Sequence, residues 1–255
     1  MEKRLDAKAL LARASDVVEL CEKQYVPKAF GFLSPVDSEI IRRTFSKMSL
    51  GDGVKFKFWG GYSEAERCLF LVYPDYAESS VDEEFVSIIE IAGRDLGSLS
   101  HRDFLGSLLG LGLKREKIGD ILVLEDRCLV FALSDIAPYI VSNLSMVARC
   151  GVKARICESD EVKIPEKQYD EIRTTVASLR LDSVIGAALK TSRSAALEVI
   201  REKRVMVNWQ EKTDPSEKVS PGDVFSVRGE GRFKLTDEIT RTRKERLGIC
   251  IQKAK

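Results

Sequence analysis

Toward the C-terminus the apolar residues fall at helical spacing. Leu181, Val184, Ile185, Ala188 and Leu189 trace the i, i+3, i+4, i+7, i+8 stripe of a helix with one buried face. A second helix follows, capped by Ser192 or Thr191 and striped by Ala196, Val199 and Ile200. The pattern then turns strand-like, over Val205–Trp209 and, after the turn Pro221-Gly222-Asp223, over Val224–Arg228. Upstream, the first fifty residues read as helices broken at Pro27 and at Gly31–Pro35. Between them and the C-terminal helices, strand-like runs are expected over Val54–Trp59, Cys68–Tyr73, Phe85–Ile91, Ile121–Leu124, Cys128–Leu133 and Val152–Cys157. Helices fit His101–Leu109 and Ile136–Ala148, and Glu125-Asp126 between two apolar runs predicts a tight hairpin.

These elements predict an α+β chain: a helical region over 1–50, an RRM/ferredoxin-like split βαβ domain over 51–160, a linker over 161–178 and a small C-terminal αα-plus-strands module over 179–255. The linker reading rests on the density of charge and on Pro165. An RRM sheet stacks bases on aromatic side chains. The corresponding strand, Arg127–Leu133, has the single aromatic Phe131, so the likeness is expected to stop at topology.

Four motifs of the C-terminal module stand in register: Arg180-Leu181-Asp182, Ser192-Arg193-Ser194, Val205-Met206-Val207-Asn208 and Gly222-Asp223 with Val227-Arg228. In that order, over about sixty residues, they resemble the RNA-binding module named after small-subunit ribosomal protein four. The resemblance implies a basic face on the two helices that packs against structured RNA, with contacts from Arg180, Lys190, Arg193, Arg201, Lys203, Arg204, Asn208 and Lys212. The chain departs from the usual pattern at two places, with Lys203 and Trp209 where the module commonly has glycine.

Charge points the same way. Residues 180–255 hold 17 Lys or Arg against 11 Asp or Glu, a net of +6, while the remainder carries −5 and the whole chain +1. A near-neutral protein with charge divided between its ends has one region suited to a polyanion. Composition is otherwise that of a globular protein, 44% hydrophobic and 32% charged. No eighteen-residue apolar run predicts a membrane span, and the mixed-charge N-terminus lacks the pattern of a targeting peptide. Six cysteines without a CxxC pair, and one histidine, predict reduced buried thiols and neither metal nor cofactor.

A second string, Ser100-His101-Arg102-Asp103-Phe104-Leu105-Gly106 followed by Leu109-Gly110-Leu111-Gly112-Leu113-Lys114-Arg115-Glu116-Lys117, joins Val207-Asn208-Trp209 and Arg228-Gly229-Glu230-Gly231-Arg232-Phe233. Together they resemble the YlmH family, over roughly residues 50–250. That resemblance implies a cytoplasmic RNA-binding protein acting on ribosomal RNA or tRNA, associated with the large ribosomal subunit and with quality control of stalled nascent chains. Some members are described as cell-division factors. Arg228 and Arg232 flank glycines that either let the backbone approach a phosphate or simply form a bend. The cluster Arg241, Arg243, Lys244, Arg246 either extends the RNA face or lies on a solvated turn, and Lys114, Arg115 and Lys117 follow a helix end marked by glycines.

Three signals look catalytic and are not read so. His101-Arg102-Asp103 lacks the rest of a kinase set, and Ser100 with Asp103 explains it as a helix cap. Lys47-Met48-Ser49 lacks its synthetase partner motif. Arg180-Leu181-Asp182 echoes the catalytic stretch of pseudouridine synthases but opens the module's own helix. The expectation is therefore a non-catalytic binder. An RNA-modification or tRNA-processing accessory built around His101, Arg102 and Asp103, and a protein-interaction scaffold docking through the N-terminal body, are the alternatives.

Overall fold

Breakers and caps set the order of elements. The computed structural model describes residues 6–94, 96–164, 169–242 and 246–254. Two compact units divide the chain, Met1–Lys163 and Ile164–Lys255.

In the first unit, α1 (Ala7–Gln24) ends before Pro27, and β1 (Lys28–Leu33) fills the six residues before Ser34 caps α2 (Pro35–Phe45). The Ser34 hydroxyl accepts from the Asp37 N–H at 3.2 Å, and Pro35 needs no donor at the first helical position. Next come β2 (Val54–Trp59), β3 (Cys68–Pro74), α3 (Val81–Phe85), β4 (Val86–Gly93), α4 (His101–Gly110), β5 (Ile118–Val123), β6 (Arg127–Leu133), α5 (Ala137–Asn143), β7 (Met146–Val147) and β8 (Cys150–Cys157). Strands β1-β3-β2 form one antiparallel sheet and β5-β6-β4-β8-β7 another. The second sheet, with α4 and α5 as its crossovers, has the split βαβ arrangement.

The first fifty residues are thus not helical throughout. Phe30 and Leu33 join the core formed with α1 and α2, and Phe32, within the register shift between them, is buried against Gly119. Likewise β2 and β3, expected with the middle sheet, lie in the other one, where β3 pairs with both β1 and β2. The predicted helix at 136–148 stops at Asn143 and hands over to β7.

The middle sheet buries both faces. Ile89, Ile91, Cys128 and Val130 pack with Phe104, Leu108 and Ile140 of the helices. On the opposite face Leu129 and Phe131 are also fully buried, and the loop between β2 and β3 covers Phe131. The Tyr62 ring sits 4.9 Å from that of Phe131. Its hydroxyl donates to Asp120 at 2.8 Å, and Asp120 also accepts the Glu66 and Arg67 N–H groups at 2.7 and 3.0 Å. At Phe131, the single aromatic of this strand, the face that an RRM offers to bases is covered by the chain's own loop.

In the second unit, β9 (Tyr169–Val176) precedes α6 (Leu181–Ala188), α7 (Arg193–Arg201), β10 (Val205–Val207), β11 (Gln210–Glu211), β12 (Val224–Val227), β13 (Gly231–Arg241) and β14 (Leu247–Ala254). They form one antiparallel sheet in the order β11-β10-β12-β13-β14-β9. Residues 161–178, expected as a linker, therefore hold a full strand. Ile172 and Val176 turn inward, while the alternating Glu171, Arg173 and Thr175 supply the charge and polarity that masked the pattern. Pro165, part of that linker reading, lies outside the described residues. Leu181, Val184, Ile185 and Ala188 of α6, with Ala196 and Ile200 of α7, bury their stripes against Phe225, Phe233 and Ile251 of the sheet. Among the described residues no helix is long and apolar enough to cross a membrane.

Candidate nucleic-acid interface

A buried carboxylate organises the start of α6. Asp182 is 1% exposed, and it accepts from Arg180 Nε and Nη2 at 3.3 and 3.2 Å. From α7 it accepts Arg193 Nε and Nη2 at 3.0 and 2.7 Å. Burial drives its pKa up, but hydrogen bonds from Arg180 and Arg193, with their charges, outweigh that and bring it down from 3.8 to about 2. The two cations are not lost to solvent: the Arg193 side chain remains 65% exposed. Asp182 fixes one edge of each guanidinium and leaves the rest facing outward, a geometry suited to receiving phosphate.

Lys190 follows at the end of α6, where its φ of +51 closes the helix and its ammonium is exposed. Lys190, Arg193 and Arg246 line one groove together with Thr174, Thr175 and Thr191. Arg246 is held by a bond from Nη2 to the Thr175 carbonyl at 2.8 Å. Of its basic neighbours in sequence, Arg243 and Lys244 lie outside the described residues.

A second depression lies on the outer face of the sheet, where Lys203, Arg204, Arg228 and Arg232 surround Met206. Arg204 braces it. Its Nη2 donates to the Arg228 carbonyl at 2.8 Å, its Nη1 reaches Glu202 at 3.2 Å, and its own carbonyl accepts the Arg228 N–H at 2.9 Å. The Gly229 and Gly231 φ values of +88 and +111 make Arg228–Arg232 a genuine turn that carries its two arginines to the rim. Bend and contact surface are compatible here.

Three other residues named from sequence are placed differently. The Asn208 side chain is held within the fold, donating to Asp223 at 2.7 Å and accepting the Val224 N–H at 3.1 Å. Lys212 is ion-paired with Glu217 at 2.5 Å. Arg201 stands exposed at the end of α7, with no side-chain partner among the described residues. The expected strand Val205–Trp209 ends at Val207. Asn208 and Trp209, at φ +47 and +60, form the two-residue loop of the β10–β11 hairpin, with Val207 opposite Gln210.

Lys203 carries a backbone cost. It occupies the left-handed position just after α7 at φ +58, where glycine is relaxed. Lys203→Gly is expected to raise stability by about 1 kcal/mol in urea unfolding while weakening RNA binding. A drop in stability would mean that the ammonium, 3.7 Å from Glu211, contributes more than the strain costs.

Sequence reasoning missed Asp182 as the organiser, although the signal was present. An acid at the start of one amphipathic helix and an arginine at the start of the next, eleven positions on, are brought together when the helices pack. In the first unit, the His101-Arg102-Asp103 stretch behaves as a cap. Asp103 accepts the Ser100 N–H at 2.8 Å and its hydroxyl at 2.7 Å, and these bonds lower its pKa. Burial and the nearby Arg115 charge lower that of His101.

With this geometry in view, two family models match separate parts of the chain. Residues 82–161 match the family described as "Putative RNA-binding domain in YlmH", and residues 179–225 match the S4 domain. The chain joins a YlmH RNA-binding domain to an S4 domain. Over 253 residues, covering 99% of this chain and 97% of the relative, it is 29% identical to a Bacillus subtilis (strain 168) protein named ribosome-associated protein quality control protein P2. The fold is similar to that of cell division protein ylmH from Streptococcus pneumoniae, with a TM-score of 0.51 at 18% identity over 63% of this chain and 98% of that one. The Asp182-held arginines, Lys190 and Arg201 lie inside the S4 match, whereas Arg228, Arg232 and Arg246 lie beyond its end. Cations of both depressions thus lie beyond the S4 match, Arg232 in β13 and Arg246 just ahead of β14.

Proposed function

We propose that this chain is a cytoplasmic, non-catalytic factor that binds structured ribosomal RNA or tRNA on the large ribosomal subunit and acts in translation quality control. The observation that carries the proposal is the pair of guanidinium groups fixed by buried Asp182, with their outer edges exposed beside Lys190. Preorganised cations of this kind position a phosphate backbone without reading sequence. The likeness to a ribosome-associated quality control protein over nearly the whole chain supports the ribosomal setting. The accessory-enzyme alternative gains nothing from Asp103, whose carboxylate is occupied in capping α4.

Co-sedimentation with ribosomes and separated subunits across a salt series tests this reading. Binding to the large subunit that weakens with salt is the expected result; binding to neither subunit overturns it. A variant with Lys190, Arg201 and Arg228 all changed to Ala removes three exposed cations that have no side-chain partners among the described residues. Its fold should be unchanged, and the slope of log affinity against log salt should flatten by about 2 to 3 if each neutralises one phosphate.

A further inference from the structure

The β10–β11 hairpin holds a tryptophan where the backbone favours glycine. Two consecutive positive φ values, +47 at Asn208 and +60 at Trp209, are the mark of a two-residue I′ loop, whose preferred sequence is Asn-Gly. Asn208 fits its position, and its side chain ties the loop to Asp223 and Val224. Trp209 does not fit: a side chain in the left-handed region is strained, and an aromatic one gains nothing there from the turn. Nor does the fold repay it with a recognised polar or ring interaction. Among the described residues the Trp209 ring makes no aromatic or cation–π contact and its indole N–H makes no hydrogen bond, and the side chain is only partly buried. Backbone strain held without an internal return is a signature of a functional position.

Its surroundings suggest the ligand. Trp209 lies three residues beyond Met206, which is 41% exposed among Lys203, Arg204, Arg228 and Arg232. Three extended residues reach at most about 10 Å, so a nucleic-acid chain whose phosphates meet those cations passes close to the indole. We infer that Trp209 is a stacking platform for an unpaired nucleobase of the bound RNA, displayed beside the phosphate-binding depression formed by Lys203, Arg204, Arg228 and Arg232. The inference rests on the RNA-binding reading above and adds a preference: RNA with a base free to leave its helix, in a loop or a bulge, over uninterrupted duplex. Stacking tolerates any base, so the preference concerns unpaired structure and not sequence.

The turn itself makes the test clean, because Trp209→Gly installs the residue that the backbone prefers and should not unfold the protein. The probes are a hairpin RNA with an eight-nucleotide loop and a blunt duplex of the same stem, titrated against wild type, Trp209→Gly and Trp209→Phe. Hairpin affinity should fall about tenfold or more in Trp209→Gly, largely recover in Trp209→Phe, and leave duplex affinity unchanged. Of the two tryptophans, Trp59 is replaced by phenylalanine for the spectroscopic arm, so that Trp209 alone emits. Its fluorescence should then be quenched by the hairpin and little affected by the duplex. Equal hairpin affinity in Trp209→Gly, with salt-dependent binding retained, overturns the stacking role and leaves the RNA-binding reading standing. No salt-dependent binding of either RNA by wild type overturns both.

Discussion

Asp182→Asn should cost about 2 kcal/mol of stability at neutral pH and lower RNA affinity as well. The carboxylate is buried and receives four guanidinium bonds, and an amide can neither balance the two charges nor accept all four. The cost stays below that of a fully buried ion pair because both arginines reach solvent and can rehydrate. The pH dependence distinguishes charge from shape. In the fold the carboxyl sits at about 2, whereas in the unfolded chain it titrates near the usual aspartate value of ~3.9. A depressed folded pKa contributes stability that is fully present above the unfolded value and disappears as pH falls toward the folded one. Wild type should therefore lose about 2 kcal/mol relative to Asp182→Asn between pH 4 and pH 2 in urea titrations. If the two proteins keep parallel stability through that window, the carboxylate is not held by the arginines in solution.

Gly61→Ala should be among the most damaging single-methyl changes in the first unit, at about 3 kcal/mol or more. Gly61 has a φ of +97, outside the range that a side chain accepts without strain, and a Cβ there would meet the Phe131 ring edge, 2.8 Å from Cε1. Both partners are confined. Phe131 is a fully buried residue of β6, and the loop is held by Tyr62 and Asp120. Circular dichroism melts should show a lower midpoint. A melt indistinguishable from wild type would mean that the loop leaves the sheet readily and that Phe131 is not sealed.

These two positions also mark the limits of what the sequence disclosed. The helical stripe of α6 and α7 was legible because one face is apolar and the period is unambiguous, and the cap at Ser192 agreed with it. The strands β4, β6 and β8 were legible within two residues of their ends. What escaped was pairing between distant segments. β1 reads as a break between helices until β3, some forty residues on, supplies its partner. β9 reads as a charged linker until β14 pairs with all eight of its residues. The burial of Asp182 likewise depends on the packing of two helices, and the sealing of Phe131 on a loop from another sheet. A local pattern reports the period of an element but not the identity of its neighbour.

The clasp made by β9 and β14 bears on how the RNA-binding part could be moved between proteins. The S4 match ends at Phe225, in the middle of β12, yet Phe225 stacks on Phe233 of β13 with ring centroids 5.3 Å apart. β13 pairs in turn with β14, and β14 with β9, ahead of the first matched residue. A fragment cut to the match, 179–225, would leave the inner face of its helices without Phe233, Leu235 and Ile251. The transplantable part is the span 169–254, in which a strand from each side of the matched segment locks the other in place.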